Sequence, residues 1–190
     1  MTDDAAPDGD DTTTLTLEAF ADTIVPGEKR GPDDVAIAGA APGPGAVQAG
    51  AMELLGMFAP GISEALDGYA QGVNEHALGY ARERGLDLDA ALPPFVALTY
   101  ADRAALVRTL TTPGHPEKDF WVLLALFCNM AYDTAAHMHT TDALATGHPG
   151  LTAMGFMPPD ADGLWRFGAF SYGRELASIH PDTTSTGSPS

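Results

Sequence analysis

EKDFWVLLALFCNMAYDTAAHMHT, residues 117–140, is the stretch on which the fold turns. Its content of Ala, Leu, Phe and Met predicts a helix from about Glu117 to Thr140 in a central, mostly buried position. The apolar run Phe120 to Cys128 inside it is the longest in the chain and far too short to span a bilayer. Cys128 is the single cysteine, so no intrachain disulfide can form. In the middle of such a run it reads as a small buried hydrophobe rather than a nucleophile.

Upstream, LDLDAALPPFVALTYADRAALVRTLTT (86–112) has a Pro-Pro entry followed by a helix. Thr99 to Asp102 within it has the residue types of a capping box, with Asp in place of Glu. Before that, ISEALDGYAQGVNEHALGYARERG (62–85) repeats Leu66, Tyr69, Val73, Ala77 and Tyr80 at helical spacing, and Gly85 suits the position that ends a helix. The triplet Asn74-Glu75-His76 reads as a solvated or interhelical polar face. A helix is expected from near Gly45-Ala46 until Pro60-Gly61. LTLEAFADTIVPG (15–27) places Leu17, Phe20 and Ile24 on one stripe, and Pro26-Gly27 stops it. Between these two helices lies GEKRGPDDVAIAGAAPGPG (27–45), a loop dense in Pro and Gly. Loops of this length are usually functional or disordered.

No alternating strand pattern, phosphate loop, nucleotide fingerprint, nucleophile elbow or CxxC pair occurs. The expectation is an all-α chain: an irregular bundle of about five or six helices with long Gly/Pro-rich loops. Residues 1–12 and 181–190 read as disordered tails flanking a single helical domain over 13–180. The formal net charge is −17 and only nine residues are Lys or Arg, which argues against nucleic acid and against anionic membranes. The N-terminus has no basic-then-apolar export pattern, so the chain is expected to be cytoplasmic.

Chemistry concentrates in 131–150, AYDTAAHMHTTDALATGHPG. On a continuous helix Asn129, Asp133, His137 and Thr140 share a face, whereas His137 and His139 diverge. Asp133 would then hold one ring nitrogen of His137 and raise its pKa. The pair has three readings: a structural polar tie, a metal site completed by His76, Glu75 or His148, or an acid/base dyad. No HExxH or ExxH pattern supports the metal. His148, before Pro149-Gly150, reads either as a loop histidine with a function or as a cap on the preceding helix. Further on, Trp165, Arg166, Phe167, Phe170 and Tyr172 cluster in a segment whose residue types favour an interface.

Two stretches together resemble the opening of the gluconate 2-dehydrogenase subunit 3 family. Ala21-Asp22-Thr23-Ile24-Val25-Pro26 resembles its A-D-T-I-I-P, and Pro44-Gly45-Ala46, Ala49 and Gly50 resemble the P-G-A-x-x-A-G that follows a loop. GHPGLTAMGF (147–156) is similar to that family's Gly/Pro-rich C-terminal stretch. The resemblance implies an α-helical accessory subunit with no cofactor or metal of its own. Its partner would be a larger flavin-dependent oxidoreductase of the glucose-methanol-choline class holding FAD. The twin-arginine signal of exported members is not seen here, so a cytoplasmic biosynthetic role is expected. The alternative is a stand-alone, cofactor-free cyclase, dehydratase or isomerase of secondary metabolism. There Asp133 and His137, with His148 or Tyr132, would move protons.

Overall fold

The computed structural model describes residues 9–57, 61–157, 161 and 181–182. The described secondary structure is all helical: α1 (Gly9–Ile24), α2 (Ala51–Gly56), α3 (Leu66–Arg84), α4 (Pro94–Ala97), α5 (Tyr100–Leu110), α6 (Lys118–Asp133), α7 (Thr140–Thr146) and α8 (Pro149–Ala153). A single 3-10 turn, Ser63–Ala65, leads into α3. The expected all-α irregular bundle is what forms. The chain divides into two compact units, Met1–Met157 and Pro158–Ser190. All eight described helices belong to the first unit.

α1 is central. It packs on α2, α3, α4, α5 and α6, with Leu17 and Phe20 buried as the stripe predicts. It begins at Gly9, inside the segment expected to be a tail. Phe20 meets Phe95 of α4 and Trp121 of α6 at ring separations of 6.1 and 6.2 Å, so one aromatic cluster joins three helices. Asn74 ties α3 to two neighbours: its amide donates to Thr16 Oγ1 at 3.0 Å and its carbonyl accepts from the Phe95 N–H at 2.9 Å. That settles the 74–76 polar face as interhelical at Asn74. Thr99 caps α5 by accepting from the Asp102 N–H. Gly85, at φ 66°, ends α3.

Two helices differ from expectation. α6 stops at Asp133 rather than near Thr140. Ala135, a non-glycine residue at φ 48°, turns the chain there, and it is fully buried in a small second core with Ala143 and Leu151. Burial of these side chains outweighs the cost of the left-handed backbone, about 1–3 kcal/mol. The helix expected from Gly45 is confined to Ala51–Gly56. Residues 46–50 are turns, because Gly50 at φ 89° cannot continue a helix.

α6 is apolar on two sides. Trp121, Leu124, Cys128 and Ala131 are buried, while Val122, Leu123 and Leu126 are exposed. No described helix is long and apolar enough to cross a membrane.

Candidate functional site

The residues that carry the family resemblance meet in space. Asp22, fully buried on α1, accepts the Gly27 N–H on Oδ1 at 3.2 Å and the Ala38 N–H on Oδ2 at 3.0 Å. One carboxylate thus fixes both the end of α1 and the far side of the loop. The Ala46 N–H donates to the Val25 carbonyl and the Glu28 N–H to the Gly43 carbonyl, each at 2.9 Å, which zips the two motif stretches together. Gly27 and Gly45 face each other so closely that a Cβ on either would strike the other's backbone. Gln48 completes the clasp, accepting from the Gly45 N–H and donating to the Glu28 carbonyl.

A guanidinium that sequence reasoning missed locks the same region. Arg103 is buried on α5. Its Nη1 donates to the Ala19 and Ala36 carbonyls at 3.1 and 3.0 Å, and its Nη2 reaches Asp22 Oδ2 at 3.5 Å. Burial lowers its pKa against the opposing pull of Asp22. The only sequence signal was an arginine on the helix face shared with Leu106, Val107 and Leu110.

The second half of the junction holds the histidines. His148 Nε2 lies 2.9 Å from the Ala49 carbonyl, and its Nδ1 accepts the Leu151 N–H at 3.3 Å. Because Nδ1 receives an N–H, the ring proton sits on Nε2 and is donated to Ala49. His148 therefore caps the helix that follows it, α8, rather than the one before. Gly150 abuts the backbone of Tyr132, where a Cβ would overlap the carbonyl. His137 lies beside His148, with ring centroids 5.5 Å apart. Its ring occupies the space where a side chain on Gly50 would begin.

The four expected acid/base residues do not assemble as a set. Helix α6 ends at Asp133, so the i, i+4 pairing of Asp133 with His137 is lost. Asp133 Oδ2 instead accepts from Asn129 at 2.7 Å, and Oδ1 is buried without a donor. His137 Nδ1 is likewise buried without a partner. The pKa of His137 is lowered, not raised: burial and the neighbouring His148 disfavour the charge, with Glu53 pulling the other way. Tyr132 enters the junction through its main chain.

His76 belongs elsewhere. Its Nε2 donates to Glu117 Oε2 at 2.7 Å, and its ring lies 6.1 Å from that of His115. Hydrogen bonds from Trp121 and His76 lower the Glu117 pKa. His76 therefore cannot complete a site with His137 and His148, and no group of three potential metal ligands occurs among the described residues. Burial pushes the Cys128 thiol up to about 12, so at neutral pH it is a protonated core group. Trp165, Arg166, Phe167, Phe170 and Tyr172 lie outside the described residues.

No curated protein and no solved structure matches the chain. A family model does match, over residues 11–190, spanning the motif clasp, Arg103 and the histidine pair. The chain belongs to the family described as "Family of unknown function (DUF5987)".

Proposed function

We propose that the chain is the accessory small subunit of a larger flavin-dependent oxidoreductase of the glucose-methanol-choline type. It would act in the cytoplasm on a biosynthetic intermediate, with FAD held by the partner. One observation carries the reading: the residues of the resemblance are consumed in a single main-chain junction. The Asp22 carboxylate holds the Gly27 and Ala38 N–H groups, and Val25, Gly45, Ala46, Ala49 and Gly50 are engaged backbone to backbone or backbone to ring. His148 spends both ring nitrogens on main-chain groups of that junction. A scaffold of this kind serves a protein whose work is done on its surface.

The test is a native pull-down of the tagged, full-length chain from its own host, with an absorbance scan of the eluate. A larger partner near stoichiometry with a flavin spectrum is expected. A colourless, solitary chain overturns the proposal.

A second reading rests on the unpartnered Nδ1 of His137. A ring nitrogen left without a protein partner can act as a general base in the tautomer that leaves it unprotonated. In a stand-alone acid/base enzyme, His137→Gln would abolish turnover without loss of fold. In an accessory subunit it leaves the partner's turnover within a few-fold of wild type.

A further inference from the structure

A cleft between α3 and α5 holds polar groups that the fold does not consume. It encloses about 350 Å³, at the small end of the range for ligand sites. Leu106 and Leu110, both buried, give it an apolar wall. Gly79 also lines it, and a Cβ there would meet nothing within 4 Å, so α3 leaves room where a side chain would stand. Glu75 and Glu83 line it about one helical turn to either side of that glycine. The guanidinium of Arg84 is drawn onto the Tyr80 ring, 3.8 Å from its centroid. Two carboxylates against one engaged guanidinium favour a cation in the cleft.

Two histidines line the same cleft and are set in opposite senses. His76 Nε2 lies 2.7 Å from Glu117 Oε2, and the Trp121 indole N–H donates to that same oxygen at 3.0 Å. An ionised carboxylate only accepts, so the His76 proton is on Nε2 and Nδ1 is an acceptor. His115 is the reverse: its Nδ1 accepts the Glu117 N–H at 3.2 Å, which leaves the proton on Nε2. Among the described residues no hydrogen-bond partner takes His76 Nδ1 or His115 Nε2. The two rings are 6.1 Å apart at 65°. A free acceptor and a free donor at this separation suit a group that both donates and accepts, and a hydroxyl is such a group. Burial of Trp121 demands an acceptor for its N–H, and Glu117 alone supplies it. The fold thus accounts for Glu117 and not for the two imidazoles.

We propose that the cleft between α3 and α5 binds a small hydroxylated amine, of the amino-alcohol or amino-sugar class. The hydroxyl donates to His76 Nδ1 and accepts from His115 Nε2–H. The ammonium is met by the carboxylates of Glu75 and Glu83, and the carbon skeleton lies against Leu106 and Leu110. Glu117 is the positioning residue, holding the His76 ring in its tautomer. The inference goes beyond the accessory-subunit reading and does not rest on it, since none of these residues belongs to the junction of His137 and His148.

The isolated full-length chain, with its histidine rings labelled with nitrogen-15, is titrated at fixed pH and ionic strength while the ring resonances are followed by NMR. The probes are D-glucosamine and ethanolamine, each with a matched control: D-glucose lacks the amine and ethylamine lacks the hydroxyl. At least one amino compound should shift the His76 and His115 rings, leave those of His137 and His148 in place, and bind at least tenfold more tightly than its control. His76→Gln keeps a donor for Glu117 but removes the ring acceptor, and should weaken binding about tenfold. Gly79→Met fills the open space with a better helix former, so the melting temperature should hold or rise while the shifts disappear. Probes that leave both rings unmoved overturn the site. Equal binding of an amino compound and its control overturns the ligand class. Binding that survives in Gly79→Met places the ligand elsewhere and overturns the cleft. All three outcomes leave the pull-down of a flavoprotein partner untouched.

Discussion

His148 does at the start of α8 what serine or aspartate does at most helix starts, offering an acceptor to an N–H of the first turn. Its other nitrogen reaches back across the sequence to Ala49. His148→Ala removes the cap and leaves the Ala49 carbonyl without its donor, a combined loss of about 2–4 kcal/mol. Chemical denaturation of the variant reads this directly, and His148→Asn should recover part of it. His137 makes a different prediction. Its folded pKa lies below the ordinary value of 6.5. Between those two values the unfolded chain holds a proton that the native chain does not, so native stability falls as pH drops through that window. A melting series from pH 7.5 to 5 should show this decline in wild type and a flatter one in His137→Gln. At this scale the sequence marked both histidines for attention but misassigned their partners. Which nitrogen meets which carbonyl depends on residues about a hundred positions away, such as Ala49, and no local pattern encodes that.

Among the elements, ends fixed by local chemistry were legible. Pro26-Gly27 stops α1, Gly85 closes α3 and Thr99 opens α5, each through groups within a few residues. Ends fixed by packing were not. α6 ends at Asp133 because Ala135 is drawn into a core with Ala143 and Leu151, which lie on later helices. α2 starts after the left-handed Gly50, and the His137 ring fills the space beside that glycine. Gly50→Ala would need both a left-handed backbone and space that the imidazole fills. The expected cost is about 2 kcal/mol or more. Pairing it with His137→Ala relieves the steric part alone. A double-mutant cycle should therefore show coupling between the two sites, and strict additivity would refute the contact.

For the whole molecule, the all-α class was legible from one apolar run and several 3.6-residue stripes, because a bundle needs little else. Its polar centre was not. Arg103 and Asp22, from α5 and α1, form a buried pair whose hydrogen bonds run to main-chain groups of α1 and of the loop after it. Arg103→Ala would leave the Asp22 charge without its ionic partner and two carbonyls without their donor, at about 3–5 kcal/mol. A volume-matched Arg103→Met with Asp22→Asn should cost much less than Arg103→Ala alone. If it costs as much, the lost packing of the arginine stem, not the unpaired charge, is the cause.

The clasp between Val25 and Ala46 and between Glu28 and Gly43 makes the intervening segment a closed lariat. Its root is bonded and its shoulders are anchored through Asp22 and Arg103, whereas Gly39, Ala40 and Pro42 at the tip face solvent. Lengthening a loop whose ends are already held costs only about 0.6 kcal/mol per doubling. A short epitope or fluorophore-bearing peptide inserted after Ala40 should therefore leave the melting temperature nearly unchanged, while the same insert between Gly45 and Ala46 should unfold the chain. The tip is thus a natural attachment point for a reporter, through which the chain can be followed, weighed and captured in living cells.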